Sequence, residues 1–357
     1  MKPDFERAMH EATRLMRAGR LGDATAAIQS ALGANAPAPV DDREVVDVEA
    51  RVLPDVIELP GPAGWRPKTP EPRTARPGPA AASGTESFAG GSFRNDCGAR
   101  DYKLFVPATG GEGARPLVVM LHGCTQDPDD FARGTRMNEL ARRHGVLVLY
   151  PAQSRRGNAQ GCWNWFKHNH QARDRGEPGL LAGMVREVAA RHGADARRVY
   201  VAGLSAGGAM AAILGAAYPE LFAAVGVHSG LAAGAATDLP SALAAMNGGA
   251  PPVRRHAAMP PTIVFHGDAD ATVHRLNGER VIEAAGAGGP AREQRGEANG
   301  RRFTQRAFAD GRIEHWAIHG AGHAWSGGSS TGSHADPKGP DASAQMLRFF
   351  LAHRRTD

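Results

Sequence analysis

The sequence predicts an α/β fold: a mostly parallel sheet covered by helices on both faces, preceded by a small helical hairpin and a proline-rich linker. Three observations predict it. From residue 93 onward, near-continuous apolar runs of strand length recur ("PLVVML", "VLVLY", "RVYVA", "TIVFHG"), and such runs mark strands buried on both faces. Between them lie stretches with helical spacing of apolar residues, and strands alternating with helices build parallel sheets. The 357 residues are 42% hydrophobic with a net charge of +5, enough apolar mass for one large domain with appendages.

Taken in order, residues 3 to 32 carry apolar side chains at helical spacing: Phe5, Met9, Leu15 and Met16, then Leu21, Ala24, Ala27, Ile28 and Leu32, interrupted by "RAGRLGD". This predicts a helical hairpin over residues 1–33, a candidate docking element. Its pattern is that of half a tetratricopeptide repeat, and no second copy follows. Residues 34–92 are rich in Pro, Ala, Gly and Arg, a composition that favours extended backbone and predicts a linker. The α/β domain then spans 93–357. Its expected strands are 102 to 107, 116 to 121, 146 to 150, 198 to 202, 223 to 229, 262 to 267 and 313 to 320. Its expected helices lie near 130 to 144, 179 to 192, 206 to 217, 274 to 285 and 341 to 353.

Composition also excludes. The longest apolar runs are far shorter than the ~20 residues that span a bilayer, so no membrane span is expected. The amino terminus lacks an apolar signal core and a small-residue cleavage site, which predicts a cytoplasmic protein, with an extracellular location as the alternative. Arginine is scattered through loops rather than along one face, so no nucleic-acid partner is expected. Cys97, Cys124 and Cys162 are too few for a disulfide scaffold and lack the spacing of a zinc site.

The chemistry is read from "VYVAGLSAGG", residues 199 to 208, where a strand stops at Ser205 between two glycines. With 45 glycines in the chain, a G-x-S-x-G pattern arises by chance in roughly one such sequence in five. Its setting raises its weight: a buried strand before, a helix directly after, as in a nucleophile elbow. A serine nucleophile needs a base, and the base needs an orienting carboxylate. Downstream, "TIVFHGDADATVH" offers Asp268 and Asp270, and "WAIHGAGHAW" offers His323 in a glycine-rich loop. His315, His319 and His323 form an H-x-x-x-H-x-x-x-H series, but "IEHWAIH" alternates as a strand and "GAG" breaks a helix, so no metal is expected. Oxyanion donors are expected from the backbone N–H of Ala206, at the helix start, and of Cys124, in the "HGCTQD" loop.

Together "LHGCTQDPDDFA", "YPAQ", "GCWNWF", "RVYVAGLSAGGAMA", "HGDADATV" and "GAGHAW" resemble the poly(3-hydroxybutyrate) depolymerase family of esterases in the α/β-hydrolase superfamily. The likeness covers most of residues 93 to 353. It implies an ester substrate, no cofactor, Ser205 as nucleophile, Asp270 rather than Asp268 as acid, His323 as base, and Cys124 with Ala206 as oxyanion donors. Feruloyl and acetyl-xylan esterases of the same family are the alternative, and a non-catalytic interaction protein is the alternative from another class. The docking element at 1–33 would then face a protein or a polymer granule. Trp163 and Trp165 are read as an apolar wall for the acyl or alkyl part of the ester, with His122 beside them; the competing reading makes both tryptophans core plugs. For Cys124 and Cys162 the sequence leaves two states open: a bridge tying the oxyanion loop to the tryptophan loop, or reduced thiols.

Overall fold

In the strand Arg115–Leu121, Leu117, Val119 and Leu121 belong to one core and Val118 and Met120 to the other, and all five are fully buried. Alternation of side chains across a strand thus turns a continuous apolar run into two separate cores. The computed structural model describes residues 85–108, 113–249 and 259–356. The hairpin expected over 1–33 and residues 34–84 of the expected linker lie outside the described residues.

Ten strands form one sheet: β1 (Ser87–Asn95), β2 (Gly98–Val106), β3 (Arg115–Leu121), β4 (Leu147–Pro151), β5 (Ala194–Leu204), β6 (Ala224–His228), β7 (Thr262–Gly267), β8 (Arg292–Ala298), β9 (Arg301–Phe308) and β10 (Ile313–Ile318). Their spatial order is β1-β2-β4-β3-β5-β6-β7-β10-β9-β8. The six from β4 to β10 pair in parallel, and the outer strands pair antiparallel. A two-residue pair, β11 (Trp325–Ser326) with β12 (Ala335–Asp336), stands apart from this sheet.

Helices α3 (Gly176–Arg191), α4 (Ala206–Ala217), α5 (Leu239–Ala244) and α6 (Leu276–Ala284) contribute to the core on one face of the sheet. Helices α1 (Pro128–Thr135), α2 (Met137–His144) and α7 (Ala342–Ala352) contribute to the other. This is the expected α/β-hydrolase architecture, with three local differences. β1 begins at Ser87, inside the segment read as linker, so the sheet starts before residue 93. β8 and β9 are additional strands rich in arginine at one margin of the sheet, β8 forming the edge, and a search for apolar runs passes over them. The single helix expected near 130 to 144 is two, broken at Arg136 (φ 55°), whose N–H closes α1 on the Ala132 carbonyl.

Parallel pairing has one functional consequence: the carboxyl ends of β3, β5, β6, β7 and β10 all reach the same edge of the sheet, where loops of α/β proteins collect ligands. Among the described residues no helix is long and apolar enough to cross a membrane.

Candidate active site

Ser205 follows β5 directly, and α4 begins at the next residue. Its backbone is held at φ 56°, ψ −119°, a region that a residue with a Cβ occupies only when its surroundings impose it. The flanking glycines show what imposes it. A Cβ on Gly203 would stand 2.4 Å from the Gly207 backbone, and one on Gly207 would stand 2.0 Å from the Leu121 carbonyl oxygen. The turn is therefore pressed against the end of β3, and only glycine fits at either position. The Ser205 N–H donates to the His228 carbonyl at 2.9 Å, which ties the turn to β6.

The two candidate acids after β7 part company. Asp270 Oδ2 accepts from His323 Nδ1 at 2.7 Å, while its Oδ1 accepts from the N–H groups of Thr272 and Val273. Burial pushes this carboxyl up, but the hydrogen bonds from His266 and His323, the His323 charge and the Val273 N–H outweigh it and hold it well below the usual carboxylate range. Asp270 stays ionised at any pH at which an enzyme works. Asp268 instead takes His319, Nδ1 to Oδ2 at 2.8 Å, together with the Gly320 N–H. Since Nδ1 of His323 donates to Asp270, its Nε2 carries the lone pair. Among the described residues neither that nitrogen nor Ser205 Oγ is hydrogen-bonded, so both are available to a reactant, and such contacts tighten when one binds.

His228 joins the serine and histidine loops. Its carbonyl holds Ser205, and its Nε2 accepts the Ser326 N–H at 3.0 Å, three residues beyond His323. The ring lies between Phe265 and Trp325, at centroid distances of 5.8 Å and 5.0 Å. Burial first, then the His266 and His323 charges, push it down to about 3, so it is a neutral brace.

The loop after β3 carries Cys124, one of the two expected oxyanion donors. Gly123 N–H is taken by the Gln126 side chain and Thr125 N–H by the Gln160 carbonyl. The Cys124 N–H between them has no acceptor among the described residues, nor does the Ala206 N–H at the first position of α4, where helices leave their amides open. Gln126 Nε2 reaches Asp130 and the Ser333 carbonyl, both at 2.9 Å, which braces this loop from behind. Cys124 and Cys162 are joined as a disulfide, and Cys97 is free.

With this geometry the chain was compared with known proteins. The family model described as esterase PHB depolymerase matches residues 100–285. The chain belongs to this family. A poly(3-hydroxyalkanoate) depolymerase C of Paucimonas lemoignei is 33% identical over 181 residues, 47% of this chain and 44% of that protein. Feruloyl esterase B of Neurospora crassa is 36% identical over 129 residues, 35% of this chain and 43% of that one. The matches thus span under half the length of these two relatives. The solved structure of an acetyl xylan esterase from Aspergillus awamori has a TM-score of 0.58 at 21% identity, over 71% of this chain and 94% of the other; this is a likeness of fold.

As a member of the PHB depolymerase esterase family, the chain does not present the side chains that its sequence nominated for substrate contact. His122 is 1%, Trp163 0% and Trp165 5% exposed. His122 spends both ring nitrogens on backbone, donating to the Gly123 carbonyl and accepting the Gln153 N–H, and Trp163 Nε1 donates to the His122 carbonyl. The tryptophans therefore plug the core beneath the loop, and His122 buttresses the oxyanion loop. An aromatic pair next to a site looks the same in sequence when it lines a cleft and when it supports one.

Sequence reasoning passed over the group that holds this loop. The Glu177 carboxylate, 1% exposed, accepts from Gln153, from the Asn164 backbone and side chain, and from Arg100. Burial works to raise its carboxyl, and the bonds from His170, Gln153 and Asn164 prevail and lower it. The only signal in the sequence was an acid at the start of a helix, which the dipole there already explains.

Proposed function

We propose that the chain is a serine esterase acting through Ser205, His323 and Asp270, on poly- or oligo-(3-hydroxybutyrate) or related short-chain esters. The observation that carries the reading is the 2.7 Å contact of His323 Nδ1 with buried Asp270, on the sheet edge where the strained Ser205 turn lies.

His323 Nε2 takes the Ser205 hydroxyl proton as Oγ bonds to the ester carbonyl carbon. The carbonyl electron pair moves to oxygen, and the oxyanion is received by the N–H groups of Cys124 and Ala206. When the tetrahedral adduct collapses, the C–O bond to the alcohol breaks and His323 returns the proton to the departing oxygen. A water then attacks the acyl-Ser205 ester by the same route and releases the acid. Asp270 remains a carboxylate throughout and keeps the His323 tautomer correct.

Ser205→Ala is expected to reduce hydrolysis of p-nitrophenyl butyrate by at least ~10³-fold; retention of the wild-type rate ends the assignment. Labelling of Ser205 by a fluorophosphonate separates this reading from that of a non-catalytic interaction protein.

A second reading, a feruloyl or acetyl-xylan esterase, is favoured by the 36% identity to feruloyl esterase B. Parallel rates on hydroxybutyrate trimer, amorphous polymer, methyl ferulate and acetylated xylan decide between them. The Cys124–Cys162 bridge supports an oxidising compartment, against the cytoplasmic expectation. Protein isolated from its own host should then titrate one thiol, Cys97, rather than three.

A further inference from the structure

Two histidines that the triad does not use lie beneath α6. His266 is on β7 and His315 on the adjacent β10. The parallel register pairs Ala317 with His266 and His315 with Val264, so both rings stand on one face of the sheet, on neighbouring strands. Both residues are 2% exposed. Helix α6 closes over them at Gly278, where a Cβ would stand 2.9 Å from His266 Nδ1.

Their partners fix the tautomers. His266 Nε2 donates to the Val273 carbonyl at 2.8 Å and lies 3.5 Å from Asp270 Oδ2, which leaves Nδ1 as an acceptor. His315 Nδ1 lies 2.7 Å from Arg306 Nη2. A guanidinium only donates, so His315 Nδ1 accepts and its proton sits on Nε2. What remains is one buried acceptor, His266 Nδ1, and one buried donor, His315 Nε2, each without a partner among the described residues. Unpaired buried groups of this kind are costly, and these two are complementary and adjacent.

We propose that His266 and His315 form a positioning pair for Asp270. A line of polar contacts, closed between the two rings directly or by one bound water, runs from the surface ion pair Glu279–Arg306 through His315 and His266 to the Val273 carbonyl, on the turn that grips the carboxylate orienting His323. The proposal rests on the reading of Asp270 as the triad acid. His266 holds the turn closed at Val273, whose N–H, with that of Thr272, grips Asp270 Oδ1; Oδ2 is then aimed at His323. The line requires neutral rings. Burial first, then the charges of Arg306 and His266, push His315 down to about 3, and the remaining neighbouring imidazole, His228, is held neutral by the same burial.

Three variants test the pair: His266→Phe removes both nitrogens and keeps a ring, His266→Gln returns an amide donor near the Nε2 position, and His315→Phe breaks the outer link. Rates on p-nitrophenyl butyrate are normalised to active sites titrated with fluorophosphonate. His266→Phe is expected to lower kcat roughly tenfold to a hundredfold at unchanged KM, short of the ~10⁴-fold loss of the acid's function. His266→Gln should recover to within about threefold of wild type, and His315→Phe should lose less than His266→Phe, in the same direction. Equal losses in His266→Phe and His266→Gln, a loss in His266→Phe that appears in KM, or a wild-type kcat in His266→Phe overturn the proposal. Asp270→Asn separates the two readings: if it leaves kcat intact, the acid assignment fails; if it collapses kcat while His266→Phe behaves as wild type, only the positioning pair fails. Imidazole ¹⁵N shifts of the wild-type protein give a check independent of folding variants. Both rings should carry their proton on Nε2 and leave Nδ1 bare at the pH where the enzyme is assayed, and an Nδ1–H form of either ring overturns the proposal.

Discussion

Asp268 and Asp270 stand on one turn after β7, and His319 and His323 on one loop after β10; each acid takes one histidine, at 2.8 Å and 2.7 Å respectively. By contact distance the two pairs are equivalent. Their surroundings are not. The outer side chains, Asp268 and His319, are 38% and 39% exposed, whereas Asp270 is 0% and His323 13% exposed. The outer histidine has both nitrogens engaged, since its Nε2 meets Thr304 Oγ1 at 2.9 Å, and the inner one keeps Nε2 open. The inner carboxylate is gripped by its own turn and the outer one reaches across to the Gly320 N–H. An aspartate–histidine contact is therefore a clip between loops in the outer pair, while burial and a free second nitrogen fit the inner pair to the proposed role of base.

The sharpest way to break the comparison is to neutralise each acid in turn. Asp270→Asn keeps the shape but loses the charge that favours the Nδ1–H tautomer of His323, and kcat is expected to fall by about 10⁴-fold. Asp268→Asn should leave kcat within about threefold of wild type. Equal losses, measured on p-nitrophenyl butyrate with active sites titrated, would erase the functional distinction between the pairs.

That distinction was only half legible in the sequence. The six parallel strands were, because apolar residues dominate each of them, without interruption from Leu117 to Leu121 and even in β10 around Glu314 and His315. β8 ("REQRGEA") and β9 ("RRFTQRAF") carry no apolar run, since β8 is the edge strand and β9 its neighbour, both with surface in water, and β1 ("SFAGGSFRN") hides among glycines. Ser205 and His323 were legible because a nucleophile elbow and a terminal glycine-rich loop are local patterns. The choice between Asp268 and Asp270 was not open to spacing alone, because both occupy the same turn and only the fold decides which histidine each meets. His228, His266 and Glu177 were invisible because a buried partner cannot be read from spacing, whether it lies 98 positions away, as Ser326 does from His228, or 7, as Val273 does from His266.

A smaller effect comes from the tie beside the inner pair. The Cys124–Cys162 bridge spans 38 residues and fastens the loop whose N–H is assigned to the oxyanion. Cys162→Ser leaves Asp270 and His323 untouched. It is expected to cost about 2–4 kcal/mol of stability through loop closure and to lower kcat about 10- to 100-fold, a part of what a lost oxyanion donor costs. Chemical denaturation and rates on folded protein read the two effects separately. An unchanged kcat in the folded variant would show that the bridge serves stability alone and that the inner pair needs no such brace.

The smallest effect concerns what the outer pair does contribute. For Asp268, burial pushes the carboxyl up, and the His319 hydrogen bond, the Gly320 N–H and the charges of His319 and Arg275 outweigh it, leaving a net lowering. A depressed folded value means that the ionised form is favoured by folding. The stabilisation is then fully present above the unfolded value near ~3.9 and lost as pH falls through the lower folded one. With both partners more than one-third exposed, solvent screening limits the gain to under about 1 kcal/mol at pH 7. Asp268→Asn should therefore be slightly less stable than wild type in urea at pH 7, by an amount that shrinks in 1 M salt, and the gap should close as the pH falls below the ordinary carboxylate range. A gap that persists in acid would mean that Asp268 acts through the shape of the turn, with its charge incidental, and the outer pair would then be a packing feature with an accidental likeness to the inner one.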